Sequence, residues 1–255
     1  MKRIFCAVLV ICLPASAAVA GNWAVGLHGG SSVPDLRDNG GNELSRGWSS
    51  RVAPYFGATA EYEFSPEFSI QSGLDYAPQG GKKNGLQPII TDTSQLPVPP
   101  GTTLYADFKN VAKLNYLEIP VLATFHFGPS RQFSAGVGPY FGLLLSARNV
   151  TSGTSSIYLD AQGQQALTLP PDNSPLPPQS FDATTDGKSD LHSFNCGLQA
   201  ALGVQHPVGG GFASLGVRGG LGLTNIQKDP VNGKNTTGNL VVAVGYSVRV
   251  GREGR

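Results

Sequence analysis

The chain has 255 residues, of which only 14% are charged, and 34 of them are glycine. A typical soluble domain has about 25% charged residues, so few charges with abundant glycine indicate a β-rich protein rather than a helical enzyme. The formal net charge of +1 gives no basic excess of the kind that nucleic-acid binding requires, so we expect no nucleic-acid partner.

The N-terminus has the pattern of an export signal. Lys2 and Arg3 precede an apolar run over 4–13, and Ala18-Val19-Ala20 is a small-residue cleavage sequence. The apolar run is too short for a membrane helix, and no other segment reaches the ~18 apolar residues that such a helix needs. We therefore predict an exported protein.

The predicted domain organisation follows from this signal: a signal peptide over 1–20, one mature domain over 21–250 and a C-terminal tail over 251–255. Cys196 is the single cysteine outside the signal, so the mature chain has no internal disulfide. Since no Cys-His motif surrounds Cys196, we expect an inert thiol.

Period-two alternation of apolar and small or polar residues recurs along the mature chain and predicts strands. The predicted strands cover about 23–28, 52–64, 68–76, 114–127, 132–147, 192–205, 212–224 and 239–250. Short turns at 65–67, 128–130 and 207–210 alternate with polar, Gly- or Pro-rich loops, and the loops at about 79–113 and 149–190 are the longest.

About eight long strands joined alternately by short turns and long loops are typical of an outer-membrane barrel. A soluble lipocalin-type barrel has a similar strand number but points its apolar residues inward around a ligand. In this chain one strand face is large and apolar and the other is small and polar, which favours lipid outside and a crowded interior. The predicted fold is an all-β, eight-stranded antiparallel transmembrane up-and-down β-barrel in the bacterial outer membrane.

Aromatic residues cluster near the ends of the predicted strands, as in Tyr62, Phe64, Phe68, Phe127 and Phe133. Aromatic girdles at the two membrane interfaces have this distribution. Ordinary aromatic residues at the strand ends of a soluble sandwich are the alternative.

Several segments resemble a known family. LNYLEIP (114–120), AGVGPYFGLLLSA (135–147), GLGLTNI (220–226) and VGYSV (244–248) are similar to PorT-type outer-membrane β-barrel proteins. The resemblance implies an eight-stranded outer-membrane barrel, and the founding member of the family is associated with protein secretion. One departure concerns recognition by the barrel-insertion machinery during biogenesis, because Val248 stands where such barrels often have an aromatic residue.

LNYLEIPVLATFHF (114–127) carries Glu118 in an otherwise apolar strand. The alternation sends Glu118 inward, together with Glu61, Asp75 and Arg218 from other strands. Asp75 and Arg218 both lie about seven residues from a short turn and Glu118 about nine, which at about 3.3 Å per residue places the three in one layer. We expect a structural charge network in the lumen in which Arg218 pairs with Glu118, Asp75 or both, because an unpaired buried charge costs several kcal/mol. A polar path for ions or protons is the functional alternative.

The one candidate catalytic constellation is His192 as base, Asp190 as its orienting carboxylate and Ser193 or Ser189 as nucleophile. Serine and aspartate are common beside a loop, so the signal is weak. No nucleophile-elbow, metal-ligand or phosphate-loop spacing occurs in the sequence. We predict neither catalytic residues nor a metal or other cofactor.

The long loops are the remaining functional element, because loops on a rigid frame can bind partners. The predicted function is therefore non-enzymatic: a barrel with a polar, filled lumen that presents extracellular loops to envelope or extracellular protein partners, embedded in outer-membrane lipid. Participation in outer-membrane protein secretion or transport and hydrolysis of outer-membrane lipid are the two alternatives.

Overall fold

The structure, a computed structural model, describes residues 22–38, 43–89, 98–99 and 101–250. The predicted signal peptide over 1–20 and the predicted tail over 251–255 lie outside these residues. No helix among the described residues is long and apolar enough to cross a membrane.

Eight long strands dominate the described residues, and each pairs antiparallel with its neighbours in the chain. They are β1 (Asn22–Asp38), β2 (Ala53–Glu63), β3 (Phe68–Lys83), β4 (Lys109–Phe127), β5 (Phe133–Ser152), β6 (Phe194–Val208), β7 (Gly211–Gly222) and β8 (Asn235–Val250). β8 also pairs with β1, from Trp23↔Val250 to Asp38↔Asn235, and this pairing closes the sheet into a barrel. The predicted eight-stranded up-and-down barrel is confirmed.

Closure explains why strands of this length are stable. An open sheet leaves unpaired backbone N–H and C=O groups at its two edges, and in lipid no water can satisfy them. The sixteen-pair contact between β1 and β8 removes both edges.

β4 shows how the sequence places its side chains. From Leu114 onward, even-numbered residues such as Glu118 and Leu122 are buried inside the barrel, while odd-numbered residues such as Ile119 and Phe125 are half exposed on the outer wall. Since side chains alternate across a strand, β4 contributes a polar-containing inner face and, from Leu117 to Phe127, a wholly apolar outer face. The outer wall of the other strands continues this apolar band, for example at Leu74, Val137, Leu202 and Val244.

Aromatic rings gather at the short-turn end of the outer wall. Trp23 contacts Tyr62 at 5.1 Å between ring centroids, Tyr62 contacts Phe64 at 4.7 Å, and Phe127 contacts Phe133 at 5.7 Å. At a second level, about 20 Å further along β2, Phe56 contacts Tyr76 at 4.9 Å between ring centroids. Such aromatic positions mark the two interfaces of a membrane barrel.

Several strands extend beyond their predicted ends. β1 continues to Asp38, β3 to Lys83 and β8 begins at Asn235, within segments whose polarity favoured loops. Polar residues continue these strands because the barrel extends past the apolar band, where its outer face meets polar surroundings.

A β-bulge in β5 changes the predicted inner face. Asn115 pairs with Ser146 but Tyr116 pairs with Leu144, so Leu145 is an extra residue. One extra residue reverses the alternation beyond it. Leu144, before the extra residue, keeps the inward alternation, whereas Ala147, beyond it, is buried inside the barrel because of the bulge. Ser146, predicted to point inward, instead pairs with Asn115 and accepts a hydrogen bond from Asn115 Nδ2 at 2.9 Å.

The long loops at the far end contain regular structure. Leu86–Ile89, Leu104–Asp107 and Ile157–Tyr158 form a three-stranded sheet, and Ala183–Asp186 adds to the edge of β5. Leu104 and Leu167 are buried within this region, and Phe108 stacks on Phe181 at 4.8 Å. We call this structure, formed by the described residues of 84–108 and 153–186, the loop platform.

Asp160 organises a turn of the loop platform. Its carboxylate accepts hydrogen bonds from the backbone N–H groups of Gln162, Gln164 and Gln165. Desolvation acts to raise the pKa of Asp160, but the hydrogen bonds from Gln165, Gln164 and Gln162 outweigh it and lower that pKa. The turn is therefore matched to the ionised carboxylate.

Candidate functional site

Asp75 on β3 is the centre of a buried charged layer. Its side chain is fully buried, and Oδ2 accepts hydrogen bonds from Arg218 Nη1 at 2.8 Å and from the Tyr55 hydroxyl at 2.5 Å. Arg218 Nη1 also donates to the Tyr55 oxygen at 2.8 Å. His28 Nε2 lies 3.1 Å from Asp75 Oδ1, at ion-pair distance but without hydrogen-bond geometry. The arrangement surrounds one carboxylate with groups from three other strands.

Glu118 on β4 lies beside Asp75 in the sheet, since the two residues are cross-strand partners. Its carboxylate accepts hydrogen bonds from Gln79 Nε2 at 2.9 Å and from Gln199 Nε2 at 3.2 Å. Arg218 therefore donates its hydrogen bond to Asp75 and not to Glu118, whose carboxylate accepts hydrogen bonds from two side-chain amides.

A third polar group completes the layer. The Tyr140 hydroxyl and Thr237 Oγ1 lie 3.2 Å apart, and Asn195 Nδ2 donates to Thr237 Oγ1 at 2.9 Å. With these contacts, the layer draws one or more side chains from each of the eight barrel strands: His28, Tyr55, Asp75, Glu118, Tyr140, Gln199, Arg218 and Thr237.

An apolar cluster closes the barrel between this layer and the loop platform. It consists of Leu36, Leu114, Tyr116, Leu144, Ala147, Leu191 and Ile226, with Trp48 and Ala112 packed against it. The lumen is thus polar at its middle and apolar towards the long loops, whereas the sequence predicted polar filling throughout. The reason is that Leu114, Leu144 and Ala147 are inward-facing residues, the last of them through the bulge at Leu145.

Glu61, which was predicted to join the charge network, lies in a separate group nearer the short turns. Its Oε1 accepts a hydrogen bond from Ser69 Oγ at 2.6 Å and lies 2.7 Å from His126 Nε2, which is 3.0 Å from Ser69 Oγ. The serine and the carboxylate meet the same ring nitrogen. In a catalytic triad they contact opposite nitrogens, so that the carboxylate orients the base that the serine uses, and this triangle therefore lacks the relay.

A cavity of about 150 Å³ separates the two groups. Polar side chains that line it include Thr59, Gln71, Thr124 and Ser134, besides His126 and Arg218 at its two ends. The cavity has room for several water molecules, and the apolar cluster lies beyond the charged layer on the side of the long loops.

The candidate catalytic residues His192, Asp190 and Ser193 are exposed and are not brought together. Asp190 Oδ1 accepts a hydrogen bond from Ser189 Oγ at 2.9 Å, and the backbone N–H of His192 donates to Ile226 O at 2.9 Å. Among the hydrogen bonds of the described residues, none joins the His192 side chain to Asp190 or Ser193. Within the described part of the chain, no three His, Cys, Asp or Glu residues are placed to hold a metal ion.

Sequence reasoning missed the uncharged partners of the charged layer, Tyr55, Gln79 and Gln199. It also missed the contacts of His126 and Ser69 with Glu61. Tyr55 lies on an inward face that the alternation identifies, whereas Gln79 lies in a segment predicted as a loop. The missing signal was strand register, because only the pairing of β3 with β4 and the closure of the barrel bring these residues to the height of the carboxylates.

No curated protein sequence matches the chain. Among solved structures, Neisserial surface protein A is 12% identical (89% of this chain, 97% of that chain, TM-score 0.38), and OprG of Pseudomonas aeruginosa is 14% identical (91% and 97%, TM-score 0.36). The outer membrane protease OmpT of Escherichia coli is 11% identical (93% and 99%, TM-score 0.34).

A family model, described as an outer membrane protein beta-barrel domain, matches residues 15–228. This match covers most of the chain and agrees with the closed barrel, its apolar outer wall and its aromatic belts. The chain belongs to the outer membrane protein beta-barrel domain family and is a protein of the bacterial outer membrane.

Proposed function

We propose that this protein is a non-enzymatic barrel of the PorT-like class, whose closed barrel is a rigid frame that presents the loop platform to a protein partner in the envelope or outside the cell. The single observation that carries the proposal is the construction of the loop platform. Its strands are held to each other by backbone pairing, as in Tyr105↔Tyr158, and to the barrel by pairing such as Thr184↔Val150. Buried side chains such as Leu104 and Leu167 also stabilise it. Ordered loops of this kind offer a fixed surface for recognition.

The interior supports a frame rather than a pore. The carboxylates of Asp75 and Glu118 are fully buried and accept hydrogen bonds from side chains of other strands. The apolar cluster lies between them and the long loops. An eight-stranded barrel has an interior that side chains just fill, so this lumen holds the strands together.

The proposal is tested by removing the loop platform and leaving the barrel. In one variant a short Gly-Ser linker replaces 156–180, which keeps the strand pairing of Ala183–Asp186 with β5. A photo-crosslinker at exposed Thr184, which lies outside the replaced segment, is expected to capture a discrete partner on intact cells. The variant is expected to lose that partner while keeping a heat-modifiable barrel. Equal capture by the variant would contradict the proposal.

The two alternative functions give different outcomes. Stepwise conductance in planar bilayers that changes in Arg218→Ala would favour transport. Release of acyl chains from a lipid substrate that is lost in His192→Ala would favour hydrolysis. The proposal expects neither activity in the wild-type protein.

A further inference from the structure

The outer wall carries a groove of unusual charge at the long-loop end of β3, β4 and β5. It has a volume of about 350 Å³ and is lined by the cations Arg51, Lys82, Lys109 and Lys113, with three valines and one serine. No Asp or Glu lines it. We call it the cationic groove.

The cations of the cationic groove have no counter-ion in the described part of the chain. None of the four forms an ion pair there, and Lys113 lies directly opposite another cation, Arg148, in the pairing of β4 with β5. Like charges opposite each other destabilise a sheet. Arg51 adds a buried Nε without a hydrogen-bond partner, so the groove has donors and charge to satisfy an external anion.

The height of the cationic groove relative to the apolar band indicates where that anion comes from. On β4 the outward apolar band runs from Leu117 to Phe127, about 33 Å along the strand, which a tilt of about 45° reduces to the ~25 Å height of an outer-membrane band. Lys113 lies about 13 Å further along the same outward row, which the same tilt places roughly 9 Å beyond the band. This is the level of the lipid headgroups of the outer leaflet.

The lining of the groove combines charge with apolar surface. Lys82 and Val111 are cross-strand partners on the outer wall, and Val111 pairs on its other side with Val150. The three valines of the groove give it apolar surface beside its cations, which suits an amphipathic ligand better than a soluble ion. We propose that the cationic groove binds the phosphate groups of a phosphorylated membrane lipid of the outer leaflet.

This inference goes beyond the proposed function, because it concerns the outer wall and holds whichever partner the loop platform recognises. The bound lipid would neutralise the repulsion among the cations and fix the vertical position of the barrel. Each lysine near an anionic membrane surface contributes about fivefold to binding, so three lysines contribute roughly 100-fold.

The test uses the full mature chain folded in a zwitterionic detergent and native mass spectrometry with two probes, diphosphorylated lipid A and its dephosphorylated form. The wild-type protein is expected to prefer the phosphorylated probe. The triple variant Lys82→Gln/Lys109→Gln/Lys113→Gln is expected to lose roughly 100-fold of this preference.

The matched control is Lys188→Gln/Lys228→Gln/Lys234→Gln, which removes the same charge from the β5–β6 and β7–β8 loops and is expected to keep the preference. Heat-modifiability on a gel establishes that each variant is folded. Retention of the preference by the groove variant, or an equal loss in the control, would overturn the proposal. Displacement of the lipid by millimolar inorganic phosphate would assign the groove to a soluble anion and likewise overturn it.

Discussion

Asp75 depends on a charge from the opposite side of the barrel. Arg218 neutralises it across 2.8 Å in a layer where Asp75 has no exposure to solvent. Removing one partner of a buried pair leaves a buried charge without its counter-ion, which costs about 3–5 kcal/mol. The more exposed pair of Arg249 with Glu63, at 2.9 Å, has water as a substitute.

We therefore expect Arg218→Met to lower the free energy of unfolding by about 3–5 kcal/mol and Arg249→Met by less than about 1 kcal/mol. Urea unfolding in phospholipid vesicles measures both values. Adding Asp75→Asn to Arg218→Met is expected to recover most of the loss, because it removes the orphaned charge. Similar losses in the two single variants would show that the buried pair has no special role.

Gly57 makes room for the charged layer. It is the cross-strand partner of both His28 and Asp75, and a Cβ atom there would meet Asp75 Oδ1 and would lie 2.9 Å from His28 Nε2. Gly219 has no atom within 4 Å of an added Cβ, which makes it a matched control.

Gly57→Ala is accordingly expected to destabilise the barrel by about 1–3 kcal/mol, the usual cost of overpacking, whereas Gly219→Ala is expected to be near neutral. Thermal unfolding followed by the heat-modifiable gel shift compares the two variants. A Gly57→Ala protein as stable as Gly219→Ala would mean that His28 and Asp75 do not share this space.

The residues of the charged layer illustrate how far sequence alone reaches. The alternation identifies which charges face inward, because inward and outward differ at every second residue. It does not identify the partner, because Asp75 and Glu118 lie at nearly the same height and their assignment to Arg218 or to an amide depends on geometry. It also sends Glu61 inward without showing that His126, from a strand two positions away, competes for it.

At the scale of elements, β4 and β5 show both the strength and the limit of periodicity. β4 keeps one alternation along its apolar band, so its faces follow from the sequence. β5 changes alternation at Leu145, and a single extra residue has no periodic signature. The strand ends beyond the apolar band were also predicted as loops, because polar residues outside the membrane show no alternation of hydrophobicity.

Two leucines of β4 allow the interior of the barrel to be compared with its lipid-facing outer wall. Leu114 is buried in the apolar cluster and Leu117 lies on the outer wall. We expect Leu114→Ala to cost about 2–5 kcal/mol, because it leaves a cavity. Leu117→Ala should cost less, since lipid chains are as apolar as the side chain removed and fill the space. Urea unfolding in vesicles distinguishes them, and an equal cost would contradict the placement of Leu114 inside the barrel.

At the scale of the whole molecule, the closed ring, its apolar outer wall and its layered interior form one consistent arrangement. The polar middle of the lumen supplies partners to the buried charges, the apolar cluster closes it, and the loop platform projects beyond the membrane. The fold class was predictable because alternation, strand length and loop spacing all agree. The loop platform was not, since its short strands, such as Ile157–Tyr158, carry too few residues for a periodic signal.

The central claim is that one face of each strand contacts lipid and the other faces a filled lumen. The most direct measurement is the accessibility of single spin-labelled cysteines along 117–125, in a Cys196→Ser background, to lipid-soluble oxygen after reconstitution into vesicles. We expect the accessibility to oxygen to alternate with a period of two residues. It should be high at Leu117, Ile119, Val121, Ala123 and Phe125 and low at the even positions between them. Uniform accessibility, or the opposite alternation expected of a soluble barrel with an apolar interior, would contradict it.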